Sequence, residues 1–110
     1  MYIGVDLGGT SIKAALYDEN MNLLDRQSRP VRYIRENGFV EFDAEVYCRE
    51  LTELLGQMAK EKGISQVRQI ALTGQAESLV VIDKAGKPLM NAISWMDERS
   101  TAECEELAKQ

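Results

Sequence analysis

Histidine is absent from this sequence. That removes the commonest general base at neutral pH and the commonest zinc ligand, so acid–base work and metal binding fall to Asp and Glu. Cysteine is scarce: Cys48 and Cys104 stand far apart, each in a stretch that reads as helix, and both are expected to stay reduced. No apolar run approaches the ~18 residues of a membrane-spanning helix, and no basic-then-apolar leader opens the chain. A cytoplasmic location with no membrane partner is the expectation. Cations are short as well: the net charge of −5 argues against a nucleic-acid partner, which needs a surplus of Lys and Arg. At 110 residues the chain holds one domain at most, long enough to bury roughly 65% of its unfolded surface.

What the chain does contain is a glycine-rich turn between two alternating apolar runs. Tyr2 to Asp6 reads as a strand with Ile3, Val5 and Leu7 on one face, and Ile12 to Tyr17 as a second with Ile12, Ala14 and Leu16 together. Leu23 to Arg29 reads as a third strand closed by Pro30, which completes an antiparallel meander. Asn37-Gly38, set between Val31–Ile34 and Phe39–Phe42, signals a hairpin and predicts a small peripheral ribbon. Asp43 reads as the N-cap of an amphipathic helix whose stripe is Tyr47, Leu51, Leu54, Leu55 and Met58. Gly63 stops that helix, and Gly56 inside it is read as a close-packing position. Val67–Leu72 is expected as a strand with Ile70 and Leu72 inward, and Leu79–Ile82 as a strand buried on both faces. Asp83–Gly86 is a hairpin turn, returning through Pro88–Met90 and Ala92–Trp95. A last helix, carrying Ala102, Leu107 and Ala108, is expected from Met96 or Asp97.

The turn Asp6-Leu7-Gly8-Gly9-Thr10-Ser11-Ile12-Lys13 carries chemistry that a plain hairpin does not need. Adjacent glycines allow φ > 0 and let consecutive backbone N–H groups converge on one anion. Thr10 and Ser11 add hydroxyl donors, and Lys13 adds a full charge. Asp6 alone would repel a phosphate; it fits if Mg²⁺ lies between its carboxylate and the phosphate oxygens. The spacing is not that of a Walker A loop, and a strand rather than a helix follows. Nor is it the dinucleotide fingerprint.

This stretch resembles the first phosphate motif of the actin/Hsp70/hexokinase superfamily. The resemblance implies an α/β, ribonuclease H-like (actin-like ATPase) domain, with a mixed sheet beginning in a three-strand antiparallel meander. On the turn alone, ROK sugar kinases and repressors, FGGY carbohydrate kinases and non-enzymatic actin- or Hsp70-like switches stay open. The run Thr73-Gly74-Gln75-Ala76-Glu77-Ser78, then Gly86-Lys87-Pro88-Leu89, then Asn91 to Arg99 with Trp95-Met96-Asp97, resembles the FGGY kinases, as does Gly38–Asp43.

The FGGY resemblance covers nearly the whole chain. It implies ATP and Mg²⁺ as cofactors and a sugar, polyol or sugar acid as substrate. Gly8, Gly9, Thr10, Ser11 and Lys13 would hold the ATP phosphates and Asp6 the metal. Gln75, Glu77, Trp95 and Asp97 would serve the sugar. Planar polar groups suit its hydroxyls and an aromatic face suits its C–H surface. Against this stand plainer roles: Glu77 as a solvated loop acid, Trp95 as core, Asp97 as a helix cap. Asp97 and Arg99 either contact substrate or hold the loop. Ala76 stands where glycerol kinases carry Arg, and Ala76-Glu77 where xylulokinases often carry Met-His, so gluconate and other sugars remain open. The resemblance also implies that residues 1–110 are the N-terminal part of the first domain of a longer enzyme. The catalytic base and adenosine site would lie elsewhere, so the chain alone is expected to be inactive, incomplete as a domain and prone to self-associate.

Overall fold

Alternation of apolar and polar residues builds the first sheet. A computed structural model describes residues 1–110. In it β1 (Tyr2–Leu7), β2 (Ser11–Tyr17) and β3 (Leu23–Pro30) form the expected antiparallel meander, and β6 (Gln69–Gly74) adds parallel to β1. The strand order is β3-β2-β1-β6, a mixed sheet. Ile3 and Val5 of β1 and Ala14 and Leu16 of β2 share one face, where Leu54 and Met58 of α1 (Ala44–Lys62) close over them. Leu16, Leu54 and Met58 have no solvent exposure. Burying each large apolar side chain stabilises the fold by roughly 1.5–3 kcal/mol, which identifies this layer as the main anchor of the sheet.

The end of α1 follows from Gly63. Its φ of +59° is the left-handed conformation that glycine adopts without a Cβ clash. The Gly63 N–H donates to the Lys60 carbonyl at 3.4 Å and the Ile64 N–H to the Ala59 carbonyl at 3.0 Å, the paired bonds of a Schellman stop. Gly56 is not a close-packing position, because a Cβ there would meet nothing within 4 Å.

The chain separates into two compact units. The first comprises residues 1–31 and 45–75; the second comprises 32–44 and 76–110. In the second, β4 (Ile34–Glu36), β5 (Phe39–Phe42) and β7 (Ala92–Ile93) form a sheet of order β4-β5-β7. The Asn37-Gly38 turn has φ of +50° and +82°, as a tight hairpin with the twist of its strands requires. The expected ribbon thus forms, with β4 exposed and β5 as the middle strand of the sheet. Val40, Phe42 and Ala92 are buried there, and the Tyr33 ring meets Phe42 edge-on at 5.9 Å.

Several expectations are corrected. Ile70 and Leu72 are exposed, at 46% and 65%, because β6 is an edge strand and no element of its unit covers it. Leu79–Ile82 is not a strand buried on both faces. It makes only the isolated bridges Leu79↔Ile93 and Ile82↔Pro88, and Leu79, Val80 and Ile82 are exposed. Pro88–Met90 forms no strand beyond its bridge. The final helix, α2, spans Thr101–Ala108, starts later than expected, and buries none of its residues. Asp97 cannot cap it, since its carboxylate is bound elsewhere. The turn at Asp83–Gly86 does form: Asp83 Oδ1 accepts the Ala85 and Lys87 N–H groups, both at 2.8 Å.

Candidate functional site

The last β1–β2 pair is Leu7↔Ile12, so Gly8 to Ser11 make the turn. Gly8 is required there for closeness rather than for handedness. Its φ is not in the left-handed region, contrary to the expected use of the glycine pair, but a Cβ would stand 2.6 Å from the Ser11 carbonyl oxygen. The Tyr47 hydroxyl of α1 donates to the Gly8 carbonyl at 3.0 Å, and the Thr10 carbonyl accepts the Val31 N–H at 2.9 Å. The turn is thus tied to the helix and to the chain after β3. Thr10 is exposed, while Gly9 and Ser11 are half-buried.

Asp6 and Lys13 are cross-strand partners at the mouth of this turn, with Lys13 Nζ 3.4 Å from Asp6 Oδ2. Both side chains are about half exposed, at 44% and 53%. An exposed ion pair of this kind contributes at most about 1 kcal/mol, so an incoming anion and cation can separate it. A 370 Å³ hollow opens at the pair, lined also by Gly4, Ala15, Arg26 and Thr73. No group of three or more carboxylate, cysteine or histidine side chains is placed to cage a metal ion. A lone carboxylate beside a glycine-rich turn nevertheless fits Mg²⁺, which keeps water ligands and binds through one or two carboxylates plus substrate phosphates. Gln75 joins this end of the unit: its N–H donates to the Leu7 carbonyl at 3.0 Å, where the parallel strands β1 and β6 both end. Carboxyl ends of parallel strands are where ligands of open α/β sheets bind.

In the second unit, Glu77 is exposed and has φ of +67°. A non-glycine residue in this region is strained, and such strain collects at ligand-binding positions. The neighbouring Ser78 Oγ accepts the Trp95 N–H at 3.2 Å, and Leu79 and Ile93 exchange N–H···O bonds of 2.9 Å. These bonds bring the Glu77 and Trp95 segments together. Trp95 is 55% exposed and so lies outside the core of these 110 residues.

Asp97 is placed differently. Its side chain is only 4% exposed and its oxygens are filled. Oδ1 accepts Arg99 Nε at 2.7 Å and the Arg99 N–H at 3.0 Å; Oδ2 accepts Arg99 Nη2 at 2.8 Å and the Val40 N–H at 2.6 Å. Arg99 foremost, then the Val40 amide, holds the Asp97 carboxyl far below the usual range despite burial. Asp97 pushes the Arg99 guanidinium up, with Glu41 second. The Glu41 carboxyl is held down by Arg99 and then by Asn91.

The roles of Glu41, Phe39, Ser78 and Tyr47 are not apparent from the sequence pattern. One signal was present: Phe39 and Glu41 alternate with the buried Val40 and Phe42, which puts the ring and the carboxylate on one face of β5.

The β3-β2-β1-β6 sheet with α1 on one face defines an actin-like ATPase fold. The chain belongs to the FGGY family of carbohydrate kinases: residues 1–110 match that family's N-terminal domain. A glycerol kinase of Natranaerobius thermophilus is 35% identical over 112 residues, covering 98% of this chain and 22% of the relative. Among solved structures, a xylulose kinase from Rhodospirillum rubrum aligns with a TM-score of 0.85 at 28% identity, over 97% of this chain and 22% of that one. Plasmodium falciparum glycerol kinase with ADP aligns with a TM-score of 0.83 at 26% identity, over 100% of this chain and 23% of that one. The chain therefore spans about a fifth of the length of these relatives. The family match sets aside the ROK and Hsp70-like alternatives.

Proposed function

We propose that this chain supplies the phosphate turn and sugar-side residues of an ATP-dependent carbohydrate kinase acting in the cytoplasm. The observation that carries the reading is the Gly8–Ser11 turn, closed too tightly for any side chain at Gly8, with Asp6 and Lys13 paired at its mouth. In this reading Gly8, Gly9, Thr10 and Ser11 present amide and hydroxyl donors to the ATP phosphates, and Lys13 turns from Asp6 to a phosphate oxygen. Asp6 is then free to hold Mg²⁺, which when bound neutralises the charge developing on the transferred phosphoryl group. Phosphoryl transfer depends mainly on such positioning and charge stabilisation.

Glu77 and Trp95 bind the sugar in this reading. The strained backbone of Glu77 and the exposure of Trp95 support those roles. Gln75, beside the turn, contributes a polar group at the carboxyl end of β6. Asp97 is assigned to holding the Trp95 loop. No residue of this chain is assigned as the general base, so the 110 residues alone are expected to transfer no phosphoryl group. Steady ATP-dependent phosphorylation of any member of a sugar panel by the purified chain would refute this division of labour. In an FGGY kinase carrying these residues, Asp6→Ala should lower kcat and leave sugar affinity nearly unchanged. Full turnover at saturating Mg²⁺ would remove the metal role.

A further inference from the structure

Trp95 sits at the tip of a turn whose two ends are tied to the same residue. Ser94 and Asp97 close the turn, the Asp97 N–H donating to the Ser94 carbonyl at 3.0 Å. The Ser94 N–H donates to the Val40 carbonyl at 2.9 Å, and the Val40 N–H donates to Asp97 Oδ2 at 2.6 Å. The Asp97 side chain thus takes the place of a strand backbone where β7 has already ended at Ile93. Ser94 is buried at 3% exposure, its hydroxyl accepting the Met96 N–H at 3.2 Å.

One of the two hydrogen bonds that tie the turn to Val40 runs through the Asp97 carboxylate, and Arg99 holds both oxygens of that carboxylate. Its guanidinium grips both carboxylate oxygens in a planar fork, the geometry lysine cannot reproduce. The fork is fixed in turn by β5. Glu41 accepts Arg99 Nη2 at 2.8 Å, and the guanidinium carbon lies 4.2 Å from the centre of the Phe39 ring. Asn91 Nδ2 holds the other Glu41 oxygen at 3.1 Å. Phe39, Val40 and Glu41 are consecutive, so a single strand carries the whole assembly.

We propose that Asp97 and Arg99 are positioning residues: with Glu41 they form a clamp that fixes the Trp95 turn, and they do not themselves touch the sugar. The effect on sugar binding rests on the reading of Trp95 given above; the clamp stands independently of it. Replacing Arg99 by Lys keeps the charge and loses the fork. Replacing Asp97 by Asn keeps one acceptor for Val40 and loses the ion pair.

Trp95 is the sole tryptophan, so its fluorescence reports this turn without labelling. Arg99→Lys and Asp97→Asn in the 110-residue chain should lower Trp95 anisotropy and raise its quenching by acrylamide. Glu41→Gln should give a smaller change in the same direction, and being the mildest of the three it serves if the others unfold. Amide spectra of residues 1–31 should stay unchanged, separating a loosened turn from global unfolding. In an FGGY kinase carrying the same substitutions, KM for the sugar should rise with kcat little affected. Unchanged anisotropy and quenching in folded Asp97→Asn overturn the clamp, whatever KM does. Lowered anisotropy with an unchanged sugar KM supports the clamp and overturns the sugar role of Trp95.

Discussion

Replacing Glu77 by glycine should make this chain more stable while impairing the function proposed for it. Glu77 holds φ at +67°, where a Cβ crowds the backbone. That conformation costs an L-residue about 1–2 kcal/mol, and glycine removes the cost. Glycine also gives the unfolded chain more freedom, an opposing effect of roughly 0.5–1 kcal/mol. The difference favours the variant by about 0–1.5 kcal/mol, centred on about 0.75. The side chain is exposed, so little packing is lost to offset it. With a urea m-value of about 1–3 kcal/mol/M for a small protein, the midpoint should rise by a few tenths molar at unchanged m. Glu77→Ala is the control: it deletes the same carboxylate and keeps the Cβ, so its midpoint should not rise. Both variants should weaken sugar binding in an FGGY kinase carrying them. A gain in stability coupled to a loss of binding marks strain kept for function. A midpoint lowered by Glu77→Gly would refute the argument, because the carboxylate would then be stabilising the loop by more than its backbone strains it.

Other outcomes follow from the same structure. Gly56→Ala, on an exposed face of α1 with open space around it, should stabilise the chain by roughly 0.5–1 kcal/mol in a thermal or urea melt. The Asp97 and Glu41 carboxyls are held below their ordinary values of 3.8 and 4.5. Their stabilisation is therefore present above those values and is lost as pH falls through them toward the lower folded values. Trp95 fluorescence should report that loss in an acid titration, and Asp97→Asn should flatten the profile. The open outer edge of β6, which pairs only with β1, with Ile70 and Leu72 exposed on the strand, should drive concentration-dependent self-association in sedimentation. Leu72→Lys should suppress it, and a wild-type chain monomeric at all concentrations would count against an adhesive edge.

The β1–β2–β3 meander and α1 were legible because each repeats its apolar residues at the period of its own secondary structure, and both patterns point into one layer. Period alone says which residues share a face; it does not say whether anything covers that face. Ile70 and Leu72 alternate like core residues and are exposed, since β6 ends the sheet. Leu79–Ile82 reads as a doubly buried strand from its continuous apolar run, yet it finds only bridging partners. At the candidate site, residue chemistry marked Asp6, Gly8 and Lys13, but not why Gly8 is glycine, because the clash that excludes a Cβ involves the Ser11 carbonyl across the turn. Asp97 was open between substrate contact, helix cap and loop support. The residue that locates its partner Arg99, Glu41, lies 58 positions away, beyond the reach of any local pattern.

In the proposed function Gly8, Gly9, Thr10, Ser11 and Lys13 bind the phosphates of ATP, with Mg²⁺ at Asp6. Titrating the isotopically labelled 110-residue chain with ATP and Mg²⁺, and following its backbone amides by NMR, measures that binding residue by residue. Shifts concentrated at Gly8, Gly9, Thr10, Ser11 and Lys13 are expected, reduced when Mg²⁺ is withheld and reduced in Asp6→Ala. Shifts absent from the turn at saturating nucleotide, or unaltered by Asp6→Ala and by removal of Mg²⁺, would contradict the proposed binding.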